Sequence, residues 1–371
     1  MRTNTLFYWT NALGEAEIID AINVGLSYET LSRLIPITNP ALRFLIGTTK
    51  IQGKHLKNNF SVNVPYSDHL IFNFVGALLK QVGDDITASP NFKEELKRSL
   101  LGIHEGPFLS AKNELTVAAY YKGRGYEIKL SSSRESGLPD VILTSEPISS
   151  DAKLFPDKRL QLRATVNESG DAIQKCFSGI CDSVIVLMLL NPSKSKFVAS
   201  LNELAKVINE PSFRHYRDDD LIVMPMGNEY EAGDIRLSVV NQNLSLNFQA
   251  SWPMDGPVED FKNSIIKSVA QSTKAKKKSI TWIEATGSAN RYAMEMQLLR
   301  HVVGTEDFVR DQPNLEGLVI YSVEPAEDGK NRRAAFAVDV YGQGAKKMGI
   351  DKDSVTEFLK SCATLREVLI P

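Results

Sequence analysis

The sequence lacks the features that mark membrane, secreted and zinc-binding proteins. Its apolar run at residues 184–190 is far shorter than the roughly 18 residues that a membrane span requires. Residues 1–8 contain one arginine but neither a long apolar stretch nor a cleavage site, so no signal peptide is predicted. The three cysteines, Cys176, Cys181 and Cys362, have no partners at zinc-binding spacing and fit a reducing compartment. We therefore expect a cytoplasmic protein that does not contact a membrane.

The sequence also has little excess charge of either sign and few of the motifs that identify common enzymes. Its 43 Lys and Arg against 45 Asp and Glu leave a net charge of −2, which is not the overall basic character of many nucleic-acid-binding proteins. The five histidines form neither His-x-His nor His-Glu-x-x-His, and no Gly-x-Ser-x-Gly occurs. Residues 47–54 look briefly like a phosphate-binding loop, but five residues rather than four separate the glycines, and His55 replaces the Ser or Thr that would hold Mg²⁺. Any contact with nucleic acid must therefore come from a local patch.

What the sequence does contain is a helical first part followed by alternating strands and helices. A length of 371 residues leaves room for two or three domains. We predict an α/β (α+β) protein with a helical N-terminal region over residues 1–105, a core over residues 106–215 and a C-terminal α+β domain over residues 216–371. In the first region, residues 6–9 are predicted as a short strand and residues 102–111 as a linker. The helices between them form either a small helical domain or a helix-turn-helix on DNA.

Two carboxylates are prominent in the first half of the core. Residues 113–122 have the apolar spacing of a helix, and Glu114 lies in its first turn, where the helix dipole favours a negative charge. Asp140 follows Pro139, which restricts the direction of the chain, and precedes a short apolar strand at residues 141–143. Each carboxylate has two interpretations. Glu114 is either a first-turn residue or a metal ligand, and Asp140 is either a turn residue or a ligand at the start of a strand.

A polar pair lies on the next predicted strand. The segment between residues 143 and 159 is predicted to be an acidic, proline-containing loop. Residues 159–165 then alternate between polar and apolar side chains as a strand does, with Gln161 and Arg163 on one face. A helix follows, and the continuous apolar run at residues 184–190 is typical of a strand that is buried on both faces.

The order of these elements resembles that of the PD-(D/E)XK nucleases, in particular the branch related to type IV restriction enzymes of the Mrr kind. In that family a helix carries a glutamate, a Pro-Asp or Gly-Asp follows, and the next strand carries Glu-x-Lys or Gln-x-Lys. Over residues 113–190, these stations are occupied by Glu114, Asp140 and the Gln161-Leu162-Arg163 segment. The resemblance implies a restriction-endonuclease-like mixed sheet flanked by helices, in which Glu114, Asp140 and Gln161 hold Mg²⁺. Arg163 stands in place of the family's lysine; a guanidinium cannot act as a base, but it can clamp a phosphate.

The C-terminal part repeats the order strand, helix, apolar strand. Overlaying residues 244–284 on residues 160–190 puts Asn247 and Gln249 at the ligand stations. This region is therefore either a second, degenerate copy of the core or an unrelated α+β domain. It also contains the most basic run of the chain, which is either a solvated turn or a contact with nucleic-acid phosphates. The run consists of Lys274, Lys276, Lys277 and Lys278.

Two functions stay open from the sequence. In the first, the protein is a Mg²⁺-dependent phosphodiesterase, an endonuclease that acts on DNA or RNA through the four core residues named above. Analogy with the family places it in prokaryotic restriction or anti-phage defence. In the second, the Gln161 and Arg163 replacements mark an inactive core that needs no cofactor. The protein is then a binding or scaffolding subunit whose helices dock a protein partner in a larger assembly.

Overall fold

A computed structural model describes the chain over a set of ranges separated by gaps. The described residues are 5–31, 37–54, 65–132, 137–154, 165, 169–177, 185–189, 194–208, 210, 215–219, 221–225, 236–240, 243–247, 256–285, 305–328 and 331–363. The chain divides into two compact units. The first comprises Met1–Gly25, Thr38–Pro156 and Asp255–Pro371, and the second comprises Leu26–Ile37 and Asp157–Met254. These units follow boundaries other than the predicted ones, because most of the second unit is inserted within the first.

The secondary-structure elements are numbered here in chain order. The helices are α1 (Thr5–Leu13), α2 (Glu15–Leu31), α3 (Pro40–Lys54), α4 (Tyr66–Thr87), α5 (Pro90–Leu100), α6 (Glu105–Gly123), α7 (Gly170–Phe177), α8 (Lys194–Val207), α9 (Gly256–Lys274), α10 (Thr305–Asp311), α11 (Gln343–Lys347) and α12 (Lys352–Ala363). The strands are β1 (Ile128–Leu130), β2 (Val141–Leu143), β3 (Ile148–Leu154), β4 (Ile185–Leu189), β5 (Tyr216–Arg217), β6 (Leu221–Pro225), β7 (Arg236–Val240), β8 (Asn243–Asn247), β9 (Lys278–Glu284), β10 (Leu315–Asp328) and β11 (Asn331–Tyr341).

The N-terminal region is helical, as predicted, and its helices extend further than the sequence patterns indicate. The prediction of a short strand at residues 6–9 is wrong, because these residues lie in α1. The buried side chains of α1 recur at helical spacing, and the Trp9 ring stacks on Phe72 of α4 and donates its indole N–H to the Phe72 carbonyl at 3.2 Å. The segment predicted as a linker at residues 102–111 is also largely helical, since α6 begins at Glu105.

The first unit contains a six-stranded mixed sheet in the order β1-β2-β3-β9-β10-β11. Strands β1, β2 and β3 form an antiparallel meander, β9 runs parallel to both β3 and β10, and β11 returns antiparallel to β10. This mixed sheet with flanking helices confirms the predicted α+β class. The predicted loop between residues 143 and 159 is wrong for Ile148–Leu154, which form β3 near the centre of the sheet.

Strand β3 is hard to recognise from its sequence because its buried residues are polar. Ser149, Ser150 and Asp151 are all fully buried, so the strand has no apolar alternation. The helices on the sheet provide partners for such groups. The Ser150 hydroxyl lies 2.8 Å from the Tyr121 hydroxyl of α6. Tertiary contacts, rather than the local pattern, therefore stabilise this strand.

Helices α6 and α9 cover opposite faces of the sheet. The ring of Trp282 on β9 packs against Tyr120 of α6, with the ring centroids 4.9 Å apart. The preceding residue, Thr281, points to the other face and shares a hydrogen bond of 2.7 Å with Ser268 of α9. Strand β3 is paired in register with β9, so its side chains alternate between the same two helices. Residues at odd positions of β3 face α9.

The second unit has its own antiparallel sheet, in the order β5-β6-β4-β7-β8. Strands β7 and β8 form a hairpin, in which they pair antiparallel with Val240 opposite Asn243. The apolar run at residues 184–190 does form a strand, but β4 pairs with β6 and β7 in this second sheet. Strand β4 is therefore not part of the six-stranded sheet, whereas the resemblance implies that it belongs to the same sheet as the strands that carry the site. No helix in the described part of the chain is both long and apolar enough to span a membrane.

Candidate active site

Asp140 and Asp151 lie side by side on adjoining strands. The antiparallel pairing of β2 with β3 places the residue before β2 beside the middle of β3. Oδ2 of Asp140 accepts a hydrogen bond of 2.8 Å from the backbone N–H of Ala152. In the opposite direction, the backbone N–H of Asp140 donates to Oδ1 of Asp151 over 3.4 Å. The two carboxylates are thus fixed by the sheet rather than by flexible side-chain contacts.

Lys153 brings a positive charge to this pair. It lies two residues after Asp151 and so points to the same face of the sheet. Its ammonium nitrogen lies 3.3 Å from Oδ1 of Asp151 and 3.2 Å from Oε1 of Gln271 on α9. The side-chain amide of Gln271 then donates from Nε2 to the carbonyl of Leu138 over 3.1 Å. One glutamine of α9 therefore contacts both the lysine and the loop that leads into Asp140.

Helix α6 contributes a third carboxylate, Glu114, next to a residue that is hydrogen-bonded to β3. The side chain of Asn113 donates to the Lys153 carbonyl over 2.8 Å and accepts from the Tyr321 hydroxyl over 2.6 Å. Glu114 lies 3.4 Å from the hydroxyl of Ser110, one turn earlier in α6. Glu114 also interacts electrostatically with Asp140 and with Lys153. Asp140, Asp151 and Lys153 are therefore neighbours on two strands, and Glu114 of α6 lies within electrostatic range of Asp140 and Lys153.

The pKa values of the cluster residues are shifted in the directions expected for buried groups with neighbouring negative charges. The pKa of Asp140 is raised to about 6, mainly by burial; the charge of Lys153 opposes this rise, and the nearby Asp151 carboxylate adds to it. Burial and the charge of Asp140 raise the pKa of Glu114 well above its ordinary value. Burial also raises the pKa of Asp151. For Lys153, burial disfavours the charged form, but the Asp140 and Asp151 carboxylates outweigh it and raise the pKa, so the lysine stays protonated.

The cluster is open to solvent on one side, and one of its oxygen atoms is buried without a partner. Asp151 is 0 % exposed, whereas the Lys153 side chain is 24 % exposed and both Glu114 and Asp140 are half-buried. Oδ2 of Asp151 has no hydrogen-bond partner among the described residues. A buried carboxylate oxygen in that state is costly unless something positive or hydrogen-bonding reaches it.

The donor set suits a hard cation, although the metal-free side chains are not gathered around one point. Asp and Glu oxygens are the ligands that Mg²⁺ and Ca²⁺ prefer. Across the described ranges, no group of three or more His, Cys, Asp or Glu side chains has the spacing to hold a metal as it stands. Asp140 and Asp151 are the two carboxylates of the cluster that the strands hold side by side, so they are the residues that would hold such a cation.

Two of the four residues predicted from the sequence are brought together here, and the other two are not described. Glu114 and Asp140 belong to the cluster. Gln161 and Arg163 lie outside the described residues. Sequence reasoning missed Asp151 and Lys153. The signal that could have found them is a carboxylate-x-lysine triplet, Asp-Ala-Lys, eleven positions after Asp140.

The predicted nucleic-acid contacts at the end of α9 divide into two kinds. The ammonium group of Lys277 donates to the carbonyls of Leu143 and Glu146, and Lys278 pairs with Glu316. Lys274 and Lys276 have exposed side chains. The backbone of Lys276 has a positive φ of 56°, which places the turn between α9 and β9 there.

Lys274 also lies beside the loop that leads to Asp140. Its ammonium nitrogen lies over Gly137, so close that a side chain at that glycine would collide with it. Gly137 also has a positive φ of 84°, a conformation that favours glycine. Lys274 is therefore a lysine of the run with an exposed side chain next to the loop that leads to Asp140.

Comparison of the chain with protein-family models, with curated proteins and with solved structures gives no match in any of the three.

Proposed function

We propose that the protein is a metal-dependent phosphodiesterase acting on nucleic acid, with Glu114, Asp140, Asp151 and Lys153 as its catalytic site. The observation that carries the proposal is that Asp140, Asp151 and Lys153 are neighbours on adjoining strands, with Glu114 within electrostatic range. They fit the pattern of the PD-(D/E)XK nucleases with a Pro-Asp before β2 and Asp-x-Lys on β3. This reassigned site has Lys153 at the position of the family's lysine, where the sequence prediction had Arg163. It also has the carboxylate of Asp151 where the sequence prediction had Gln161.

The order of elements around the reassigned site supports the same reading. Helix α6 carries the glutamate, β1 follows, Asp140 precedes β2, and β3 carries Asp151 and Lys153. The helix and the buried strand that complete the pattern are then α9 and β9, with β9 parallel to β3. From the sequence alone, the resemblance assigns these two elements to the helix that follows residues 159–165 and to the apolar run at residues 184–190. The second unit separates the two halves of the pattern along the chain.

The chemistry follows from what each side chain can do. Asp140 and Asp151 would hold Mg²⁺, which when bound polarises a phosphate oxygen and a water molecule. Lys153 is kept cationic by its neighbours and offers its charge to the phosphate that approaches the open side of the cluster. Burial and the charge of Asp140 raise the pKa of Glu114, which favours its protonated form, so Glu114 would serve as the proton-exchanging group of the site.

The experiment compares the two assignments of the site within one protein. The full chain is incubated with single-stranded DNA, double-stranded DNA and RNA over a range of Mg²⁺ and Mn²⁺ concentrations. We expect Asp151→Asn and Lys153→Met each to lower the cleavage rate by about a hundredfold or more. The matched variants Gln161→Ala and Arg163→Ala should retain cleavage within a few-fold.

Circular dichroism of each variant separates loss of chemistry from loss of folding. Intact substrate throughout the metal screen would overturn the proposal and favour the alternative, a binding or scaffolding subunit. Cleavage that depends on Gln161 and Arg163 but not on Asp151 and Lys153 would overturn the reassigned site alone.

A further inference from the structure

Gln271 occupies an unusual position for a residue of α9, because its two ends contact two different parts of the candidate site. Its Oε1 accepts from the Lys153 ammonium at 3.2 Å, and its Nε2 donates to the Leu138 carbonyl at 3.1 Å. Leu138 is two residues before Asp140, so the second contact fixes the approach of the chain to that carboxylate. Gln271 is 118 residues from Lys153 in the sequence.

A neutral amide of this length supplies both the acceptor and the donor that the two contacts require. A carboxylate would accept from the lysine but could not donate to a carbonyl, and it would add a fourth negative charge to the cluster. A hydroxyl side chain is too short to span both groups. The position of the Gln271 backbone against the sheet is also fixed. Ser268, one turn earlier in α9, is buried and shares a hydrogen bond of 2.7 Å with Thr281 of β9. The amide is therefore held in place before any ligand arrives.

A bound cation would make this contact more important for the lysine. Without a metal, the Lys153 ammonium has the Asp151 carboxylate 3.3 Å away. If a divalent cation binds the oxygen atoms of Asp151, the lysine loses that partner and is repelled by the metal charge. Oε1 of Gln271 carries no charge to be neutralised, so its attraction for the ammonium group does not depend on the metal.

We propose that Gln271 is a positioning residue that keeps Lys153 directed into the site when metal is bound and ties it to the segment carrying Asp140. This inference rests on the proposed function. The residue acts through Lys153 and is not itself placed on the substrate. Its importance should therefore appear in the rate of the chemical step rather than in substrate binding.

The first test is kinetic. Gln271→Met keeps the length of the side chain and removes both polar contacts. We expect kcat to fall about ten- to a hundredfold, the loss that follows from removing a hydrogen bond to a charged group, while KM changes less than threefold. Gln271→Glu keeps the acceptor for the lysine and should recover part of kcat. The matched control is the same change at an exposed glutamine of α11, Gln343→Met, which should leave both constants unchanged.

The second test does not need catalysis. In the presence of Mg²⁺, the rate at which Lys153 is acetylated by a dilute amine-reactive reagent is read by peptide mass spectrometry. Without the Gln271 acceptor the ammonium group is no longer held at 3.2 Å and should extend into solvent more often, so we expect Gln271→Met to be labelled several-fold faster at Lys153 than the wild type.

Equal labelling of Lys153 in the two proteins would overturn the inference whether or not the protein cleaves nucleic acid. An active wild type with an unchanged kcat in Gln271→Met, and only a lower melting temperature, would assign a purely structural role and would also overturn it. An inactive wild type in which Lys153 is nevertheless labelled faster in Gln271→Met would count against the proposed function alone.

Discussion

Replacing Asp140 by asparagine should stabilise the folded protein at neutral pH in EDTA, and it should abolish the cleavage proposed above. The pKa of this carboxyl is raised from 3.8 to about 6, mainly by burial. Each pKa unit corresponds to about 1.36 kcal/mol, so the ionised side chain costs the folded state on the order of 3 kcal/mol relative to the unfolded chain. Asparagine removes this charge, and its Oδ1 can still accept the hydrogen bond from the Ala152 N–H.

The sign of the pH dependence follows from the direction of the shift. Below about pH 4 the carboxyl is protonated in both the folded and the unfolded wild type, and Asp140→Asn should give little gain. Between about pH 4 and pH 6 the folded wild type holds the proton that the unfolded chain releases, so the wild type loses stability as the pH rises. Above pH 6 both states are ionised, and the advantage of the variant should reach its full value.

Urea denaturation in the presence of EDTA, at steps from pH 4 to pH 8, measures this difference. An exposed aspartate of α2, Asp20, provides the control, because Asp20→Asn should change the stability little at any of these pH values. An advantage of Asp140→Asn that is absent at pH 8, or that grows towards pH 4, would refute the reasoning. Adding Mg²⁺ at ten times its Kd should stabilise the wild type by about 1.4 kcal/mol and leave Asp140→Asn unchanged.

Two further predictions concern charges outside the four-residue cluster. Lys112 of α6 and Glu284 of β9 form an ion pair that is almost fully buried, so Lys112→Met should lower the free energy of unfolding by about 3–5 kcal/mol. Adding Glu284→Leu should recover most of that loss, and a double variant no more stable than the single one in urea would contradict this. Lys274→Ala should weaken binding of nucleic acid in EDTA and reduce the slope of log affinity against log salt by about 0.9. Lys278→Ala, whose side chain pairs with Glu316, should change that slope much less; equal slopes for the two variants would argue against a phosphate contact at Lys274.

The parts of the site that could be predicted from the sequence are those with a local signal. Glu114 lies in a helix whose apolar spacing is clear, and Asp140 lies between a proline and a short apolar strand. Asp151 and Lys153 have no such signal, because two serines precede them in their strand, which is stabilised by side chains of the helices on both faces of the sheet. The strand was predicted instead at residues 159–165, where polar and apolar side chains alternate regularly.

The sequence also does not predict to which of the two sheets a strand belongs. The chain has two short runs that are suited to close the core, at residues 185–189 and 278–284, and each follows a helix. Their local composition does not say which one pairs with β3. The structure places the first in an antiparallel sheet of its own and the second parallel to β3. Strand pairing over such distances depends on tertiary contacts that no local pattern contains.

The long insertion between β3 and α9 has a consequence for the cell that makes this protein. Strand β3 ends at Leu154, whereas Gln271 and β9 are reached more than a hundred residues later. At a rate of about 5–20 residues per second, a ribosome needs on the order of ten seconds to cover that distance. During this interval the nascent chain already carries the acidic groups but has neither the glutamine that holds the lysine nor the neighbouring strand. A chain that stops in this interval would therefore carry Asp140, Asp151 and Lys153 without the helix and strand that pack beside them in the full-length protein.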